Sequence, residues 1–496
     1  MATWGAAPAW RQPARWWRDA VAIDARSLGL FRIGIAVVVL CDLGSRALDL
    51  RAHYSDWGVL PRWAAATWLG RGAWLSTWMW RGEAWWPALL MLVTAAAAVA
   101  LLVGWRSRTA AAICFVLVAG LHARNPGVAY GGDNLLRVLL FWMPWLPLPG
   151  AWAVPRGDDR ASASDVLAAP GVFAIRLQLC LVYWLTAFAK LNSAWFGERD
   201  AVLTALYYDQ FVTSWGKVLR RFPALMRATA PATVAVEMLG PLLVWLPGAG
   251  GAVRTLVVLG FVGFHLLGMG TALTLGIFPW VCAVAWTLFL PSSFWQRLRP
   301  AGRVSVVVGA SGEIAEATVP SDEPVRQPLA RRVSNAVVAV LVAFMVFLAA
   351  AEVSGARGRL PRVVELPATL LGIHQQWHMF MRPPRDDGWL IAAGRLAGGG
   401  VRDVWRDAPL DARKPESVAA SFGNARWIKY LSQLNNADFV HHRRLFGGYL
   451  CRRWNESHDG RARLVSLQLY FVLEPTLPGG GDGPPRPLLI WQQQCR

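Results

Sequence analysis

The chain has 496 residues, 55% of them hydrophobic and only 16% charged, with the apolar residues in long blocks instead of an amphipathic scatter. That distribution excludes an ordinary soluble domain and predicts a polytopic membrane protein. The formal charge of +19 is carried by arginines in the loops flanking the apolar blocks, where cations orient a protein in an anionic membrane. Membrane lipid, and no nucleic acid, is the expected partner.

In chain order, residues 1–26 form a basic segment (Arg11, Arg15, Arg18, Arg26) expected in the cytoplasm. A transmembrane domain is expected over 27–355. Its spans lie at roughly 28–48, 85–104, 107–123, 134–152, 171–191, 230–247, 253–269, 271–291 and 334–352. Several are shorter than the ~20 residues of a clean crossing, so one or two are expected to be re-entrant or tilted. The first run contains Asp42 and Arg46 and no small-residue cleavage site follows it, so it is expected to stay as a helix and not to act as a signal peptide. Trp63–Trp80 reads as an interfacial or broken helix.

A polar insert at 296–333, with Arg297, Arg299, Arg303, Arg326, Arg331 and Arg332, is expected to be a cytoplasmic loop containing a short hairpin. An odd number of spans then places the C-terminal region on the opposite side, although the loops 49–84 and 192–227, external in this arrangement, are also basic. From 360 to 496 the pattern changes to strands at 388–396, 464–473 and 487–492, a helix over Ala425–Leu434 and a flexible loop at 479–485. The expected fold is thus mostly α: a polytopic transmembrane helix bundle of about eight or nine spans with a small C-terminal α+β extramembrane domain. The expected location is the cell membrane, with that domain extracytoplasmic.

Polar residues inside the spans carry the functional information, since they are costly in lipid unless they face the bundle interior. Asp42 and Arg46 stand four apart, a natural ion pair on one helix face, and Asp133 and Arg137 repeat the spacing. Arg176, Tyr183 and Lys190 are seven apart along one stripe of the fifth span, while Glu237 and His265 lie in the middle of the sixth and seventh. Lys190 is the most informative of these. The chain has only four lysines against 46 arginines, and an ammonium in an apolar site can give up its proton where a guanidinium cannot. The plain alternative is a lysine snorkelling from a helix end. A mid-span histidine is more often a hydrogen-bonded core residue than a catalyst, and His441-His442, in an Arg-rich stretch, reads as solvated surface.

Four of six cysteines (Cys41, Cys114, Cys180, Cys282) fall in apolar spans, and Cys451 and Cys495 would be free to form a disulfide on the external side. No metal-binding spacing, Ser-His-Asp arrangement, phosphate loop or internal repeat is visible, and no metal is expected.

Several segments together resemble the horizontally transferred transmembrane (HTTM) family, the bacterial relatives of vitamin K-dependent gamma-carboxylase. They are Leu28-Gly-Leu-Phe-Arg-Ile-Gly34 followed by Asp42, Tyr54-Ser-Asp-Trp-Gly-Val-Leu-Pro61, Gly131-Gly-Asp-Asn-Leu-Leu-Arg137 and Ala187-Phe-Ala-Lys-Leu-Asn-Ser-Ala-Trp195. Phe264-His-Leu, Gly276-Ile-Phe-Pro279, Leu290-Pro-Ser-Ser-Phe-Trp295 and Gln376-Trp-His-Met-Phe-Met-Arg-Pro-Pro384 complete the set. The resemblance implies that Lys190 matches the carboxylase's catalytic lysine, the base that takes a proton from vitamin K hydroquinone before a glutamate is deprotonated and carboxylated. This chain departs at Ala189, where the carboxylase has a second lysine, and at Pro126, where a histidine would align, and its outer domain is much shorter.

The reading that follows is an integral membrane protein of this group acting on a reduced quinone. Lys190 is the base, Arg176 and Tyr183 orient the quinol oxygen, His265 and Glu237 line the cavity, and Asp42, Arg46, Asp133 and Arg137 are structural ion pairs. The rivals are a non-catalytic membrane protein that binds a protein or peptide partner through its outer domain, and a transporter of lipid or small solutes. The paired broken helices and repeats that would support transport are not seen.

Overall fold

The computed structural model describes residues 13–70, 76–154, 166–246, 250–298 and 328–495. Each apolar block forms a helix: α1 (Ala25–Ala47), α2 (Trp85–Val103), α3 (Ser107–Arg124), α4 (Gly131–Trp142), α5 (Pro170–Ala189) and α6 (Pro223–Leu243). They are followed by α7 (Gly251–Gly263), α8 (Phe278–Trp286) and α9 (Leu329–Val353). Five are long and apolar enough to cross a membrane: α1, α2, α5, α7 with its continuation to Ala272, and α9.

Local chemistry sets the ends. The Asp24 side chain caps α1 by accepting from the Arg26 N–H, α5 and α6 start on prolines, and α2 stops at Gly104 in the left-handed region. Two expected spans are shorter than read. The fourth gives way after Trp142 to a 3-10 turn at Met143–Trp145, because Pro144, Pro147 and Pro149 cannot continue a helix. The eighth starts only at Phe278, since the chain turns at Gly276. There φ is +57° and an added Cβ would lie 1.8 Å from the Tyr130 hydroxyl, so only glycine fits.

Consecutive helices run in alternating directions. The start of α1 meets Leu290 beyond α8 (Ser27 Oγ donates to Leu290 O, 2.9 Å), and its end meets Asp133 at the start of α4. Gly29, near the α1 start, lies against the Ala151 carbonyl with no room for a Cβ (2.6 Å). Between Arg62 and Met79 the described residues form two short pieces, a helix at Arg62–Leu69 and a 3-10 turn at Thr77–Met79. Of the polar insert, residues from Leu329 onward already belong to α9, and the expected hairpin lies outside the described residues.

The C-terminal region contains a five-stranded antiparallel sheet of β1 (Asp386–Leu396), β2 (Val401–Asp403), β3 (Ala408–Pro409), β4 (Leu464–Pro475) and β5 (Arg486–Gln494), in the order β3-β2-β1-β4-β5. Helices α10 (Ala425–Ser432) and α11 (Val440–Asn455) accompany it. The Asn424 side chain caps α10 by accepting from the Arg426 and Trp427 N–H groups. Helix α11 leaves His441 exposed, as read, and corrects the reading of solvated surface for His442. His442 is buried against Tyr430 and Phe439, because it shares the apolar face of α11 with Phe446, Tyr449 and Leu450. A disulfide joins Cys451 to Cys495, tying α11 to the chain after β5.

The junction at 373–384 runs along α5, from Gln178 in its first half to Asn192 just beyond its sheet end. Gln375 exchanges hydrogen bonds with Gln178 of α5 (2.7 and 3.0 Å) and accepts one from Trp377 Nε1 (3.0 Å), while Thr186 Oγ1 donates to the Trp377 carbonyl (3.2 Å). These bonds hold Met379 and Phe380 over the bundle.

Candidate functional site

Two sets of buried charges lie at the sheet end of the bundle. The first is a clasp. Arg46 Nε donates to Asp42 Oδ2 (2.7 Å) one turn earlier on α1, as the four-residue spacing leads one to expect, and its other nitrogens reach Asp133 Oδ1 (2.6 Å) and Tyr54 Oη (2.5 Å). Arg426, from α10, enters the same ring. It bonds both carboxylates, donates to the Val128 carbonyl (3.0 Å) and lies over the Tyr130 ring, 4.3 Å from its centroid. All four charged side chains are at most 4% exposed.

Asp133 therefore pairs with Arg46 and Arg426, and not with Arg137 four residues on. Arg137 donates only weakly to Asn134 Oδ1 (3.4 Å), and its buried Nε has no partner. The correction has a geometric cause. Asp133 sits in the first turn of α4, where its carboxylate folds back to accept from the Tyr130 N–H (2.8 Å) and so turns away from the next turn. Asp42, His122 and Asp133 converge closely enough to suggest a metal, as do Asp209, Glu474 and Asp482. Side-chain cations already occupy both groups: Arg46 and Arg426 in the first, the Lys414 ammonium in the second.

The second set faces a cavity of about 390 Å³ among α5, α6, α7 and the junction. Lys190, the last residue of the α5 turn, donates to Glu237 Oε1 of α6 at 2.5 Å, and both side chains are at most 6% exposed. The Lys190 ammonium lies 4.8 Å from the centroid of the Trp195 ring. Trp195 is itself fixed by donating to the Phe380 and Met381 carbonyls (3.2 and 3.0 Å). Glu237 Oε2 is buried without a partner.

Across the cavity α7 passes into a π-helical stretch, Phe264–Met269, which contains His265. Such single-turn insertions re-aim a side chain and recur at functional sites. Trp286 Nε1 donates to Tyr183 Oη (2.8 Å), and His265 Nε2 lies within hydrogen-bond distance of the same oxygen, 2.7 Å away. The other ring nitrogen, His265 Nδ1, is buried with no partner. The site thus offers one acid–base pair, one polarised hydroxyl–imidazole pair and two unsatisfied polar atoms, in otherwise apolar walls.

Lys190, Glu237, Tyr183 and His265 are brought together. Arg176 is not. Fourteen residues place it about 21 Å from Lys190 along α5. Its guanidinium is taken up by the carbonyls of Leu288 (2.7 and 3.0 Å), Ala20 (3.3 Å) and Ala22 (2.8 Å), so it closes the far end of the bundle and has no part in the cavity. Arg32 does the same for α2, bonding the carbonyls of Leu101, Leu102, Pro149, Ala151 and Trp152. Sequence reasoning missed Arg426, Trp195 and Trp286. For Trp195 the signal was its place five residues after Lys190, while Arg426 is one of 46 arginines and lies in a polar region.

Neither a curated protein nor a solved structure matches the chain. The profile of the HTTM domain matches residues 21–295, more than half of the chain, from the strand before α1 to the short helix after α8. That stretch holds both members of the Lys190–Glu237 pair, His265 and three of the four clasp residues, so this membrane protein belongs to the HTTM domain family.

Proposed function

We propose that the chain is a multi-pass cell-membrane enzyme that works on a quinol-type lipid, with Lys190 as the base, in the manner of the gamma-carboxylase that its segments resemble. The observation that carries this reading is the buried 2.5 Å contact between Lys190 and Glu237 on the wall of an apolar cavity. The pair leaves Glu237 Oε2 open, a buried acceptor that a polar ligand atom could satisfy.

The residues fit a reduced quinone, which when bound would supply an acidic hydroxyl and a two-electron reductant. Apolar walls suit its ring, and the two unsatisfied atoms, Glu237 Oε2 and His265 Nδ1, suit oxygens at its edge. Within the pair, one proton moves from Lys190 Nζ to Glu237 Oε1, turning ammonium and carboxylate into amine and carboxylic acid with no change in net charge. An apolar wall favours the neutral form, because neither ion is solvated there. Lys190 then presents a neutral amine, while Tyr183 holds the His265 ring so that Nδ1 faces the ligand. Trp195 screens the pair from water at the outer side.

The same proposal includes the topology. Alternation of α1 to α9 supports nine crossings, with the insert at 296–333 cytoplasmic and the sheet-containing region extracytoplasmic. The Cys451–Cys495 disulfide supports an oxidising location for that region. Reporter fusions at positions 320 and 480 should report opposite sides, and the same side for both would refute it.

The catalytic test is the purified protein carrying Lys190→Arg or Lys190→Ala. Both variants should insert and fold, and both should lose quinol-dependent turnover, with small exogenous amines restoring part of it in the Ala variant. Wild-type turnover in the Arg variant would remove Lys190 as the base and favour the non-catalytic, partner-binding reading. Extraction of wild-type protein should yield a co-purified quinone, and its consistent absence would count against the ligand class.

A further inference from the structure

A second cavity, of about 410 Å³, lies on the outer side of the first, between the bundle end and α10. The two share a wall that includes Phe278, Met379 and Phe380. The inner cavity holds a matched acid and base, but the outer one has no aspartate or glutamate in its lining and a single cation, Lys429 of α10. The lining also holds two groups able to donate hydrogen bonds to a ligand, the Tyr208 hydroxyl and the Asn436 amide, whereas the Ser432 hydroxyl and the Gln433 amide already donate to the carbonyls of Lys429 and Gly127.

Lys429 differs from Lys190 and Lys414 at this end of the molecule. Lys190 is paired with Glu237, and Lys414 with three carboxylates. Among the described residues no carboxylate lies within ion-pair distance of the half-buried Lys429 ammonium. Burial pushes it below the ordinary lysine range with nothing to offset that effect. A cation partly stripped of water and left without an anion is costly, and a chamber that keeps one beside a hydroxyl and an amide, with no acid in its lining, is complementary to an oxyanion.

We propose that the outer chamber is an oxyanion-binding site, in which Lys429 holds the carboxylate or phosphate of a second ligand beside the Lys190 cavity. The anion belongs either to a water-borne molecule or to the headgroup of an amphiphile, since the chamber lies where the spans end and the polar domain begins. The site is argued from Lys429 and its surroundings alone and does not depend on the chemistry proposed for Lys190.

Full-length protein in an uncharged detergent is titrated calorimetrically with inorganic phosphate, glutarate and dodecyl phosphate, each up to about 10 mM, a range that detects even weak, millimolar binding. The expected result is saturable binding of at least one probe that weakens about tenfold or more in Lys429→Met, as loss of one charge-assisted bond implies, and changes less than about threefold in Lys429→Arg. Unfolding midpoints measured alongside identify any variant that is misfolded. Binding of phosphate or glutarate indicates a water-borne ligand, and binding of dodecyl phosphate alone indicates a headgroup. Failure of all three probes, equal affinity in Lys429→Met, or an Arg variant as weak as the Met variant would overturn the proposal. Lys190→Arg should bind the same anion normally, so a failed quinol reading leaves this result standing.

Discussion

Removing Arg426 should unlock the C-terminal domain from the bundle. In the clasp, Asp42 and Asp133 are balanced by Arg46 and Arg426, and water reaches none of the four. Arg426→Met keeps most of the side-chain volume but leaves one buried negative charge without compensation, for which a loss of about 3–5 kcal/mol is expected. Adding Asp133→Asn restores neutrality, leaving Asp42 facing Arg46. The double variant should therefore recover most of that loss, with a coupling of roughly 2–3 kcal/mol. The assay is reversible denaturation in detergent followed by tryptophan fluorescence, for which 29 tryptophans give ample signal. If the two substitutions add without coupling, or if Arg426→Met alone costs less than about 1 kcal/mol, the charge-balance argument is wrong.

Burial, and then the neighbouring Asp209, raise the Asp387 carboxyl at the start of β1 to about 7, against N–H donation from Gly388 and Asp209. The folded protein therefore keeps a proton that the unfolded chain has lost, and this contribution to stability should decline as pH rises from about 4 to about 7. Thermal unfolding from pH 5 to 8 should show that decline in wild type and a flatter profile in Asp387→Asn; an unchanged slope would refute it. Replacing Cys451 and Cys495 by alanine opens a loop closed over a separation of 44 residues. Chain entropy alone then predicts a loss of up to roughly 4 kcal/mol in the stability of the sheet domain, and denaturation of the double variant that matches wild type would contradict it. Gly276→Ala puts a methyl group into the Tyr130 hydroxyl at a positive φ, so its unfolding midpoint should fall by several degrees, whereas an unshifted midpoint would mean that the turn can move.

The bundle was legible because its message is redundant: each span repeats an apolar preference over many residues, and lipid tolerates little else. Its ends were less so, since Pro144, Pro147 and Gly276 act locally while an apolar window averages over them. Lys190 stood out through contrast with the arginines around it. Its contact with Glu237 could only be guessed, because which faces of α5 and α6 meet is decided by packing. Arg426 was invisible for a different reason. Nothing in Asn-Ala-Arg-Trp distinguishes an arginine that will be drawn 293 positions back to Asp133. The misreading of His442 shows the reverse error. The Arg-rich composition of α11 hid a sound helical pattern of His442, Phe446, Tyr449 and Leu450.

The two carbonyl-bound arginines have a consequence for how the molecule responds to voltage. Neither Arg32 nor Arg176 is paired with an acid among the described residues, and both are fixed at the far end of the bundle, which is cytoplasmic in the proposed topology. The clasp and the Lys190–Glu237 pair each sum to zero. A membrane potential therefore finds no net charge to pull in either of these two sets, where proton transfer is proposed, and two permanent charges at the other end. Carrying both arginines across the bilayer would cost about 4–5 kcal/mol per 100 mV. An energised membrane would hold the protein in its orientation through these arginines while leaving the site electrically undisturbed.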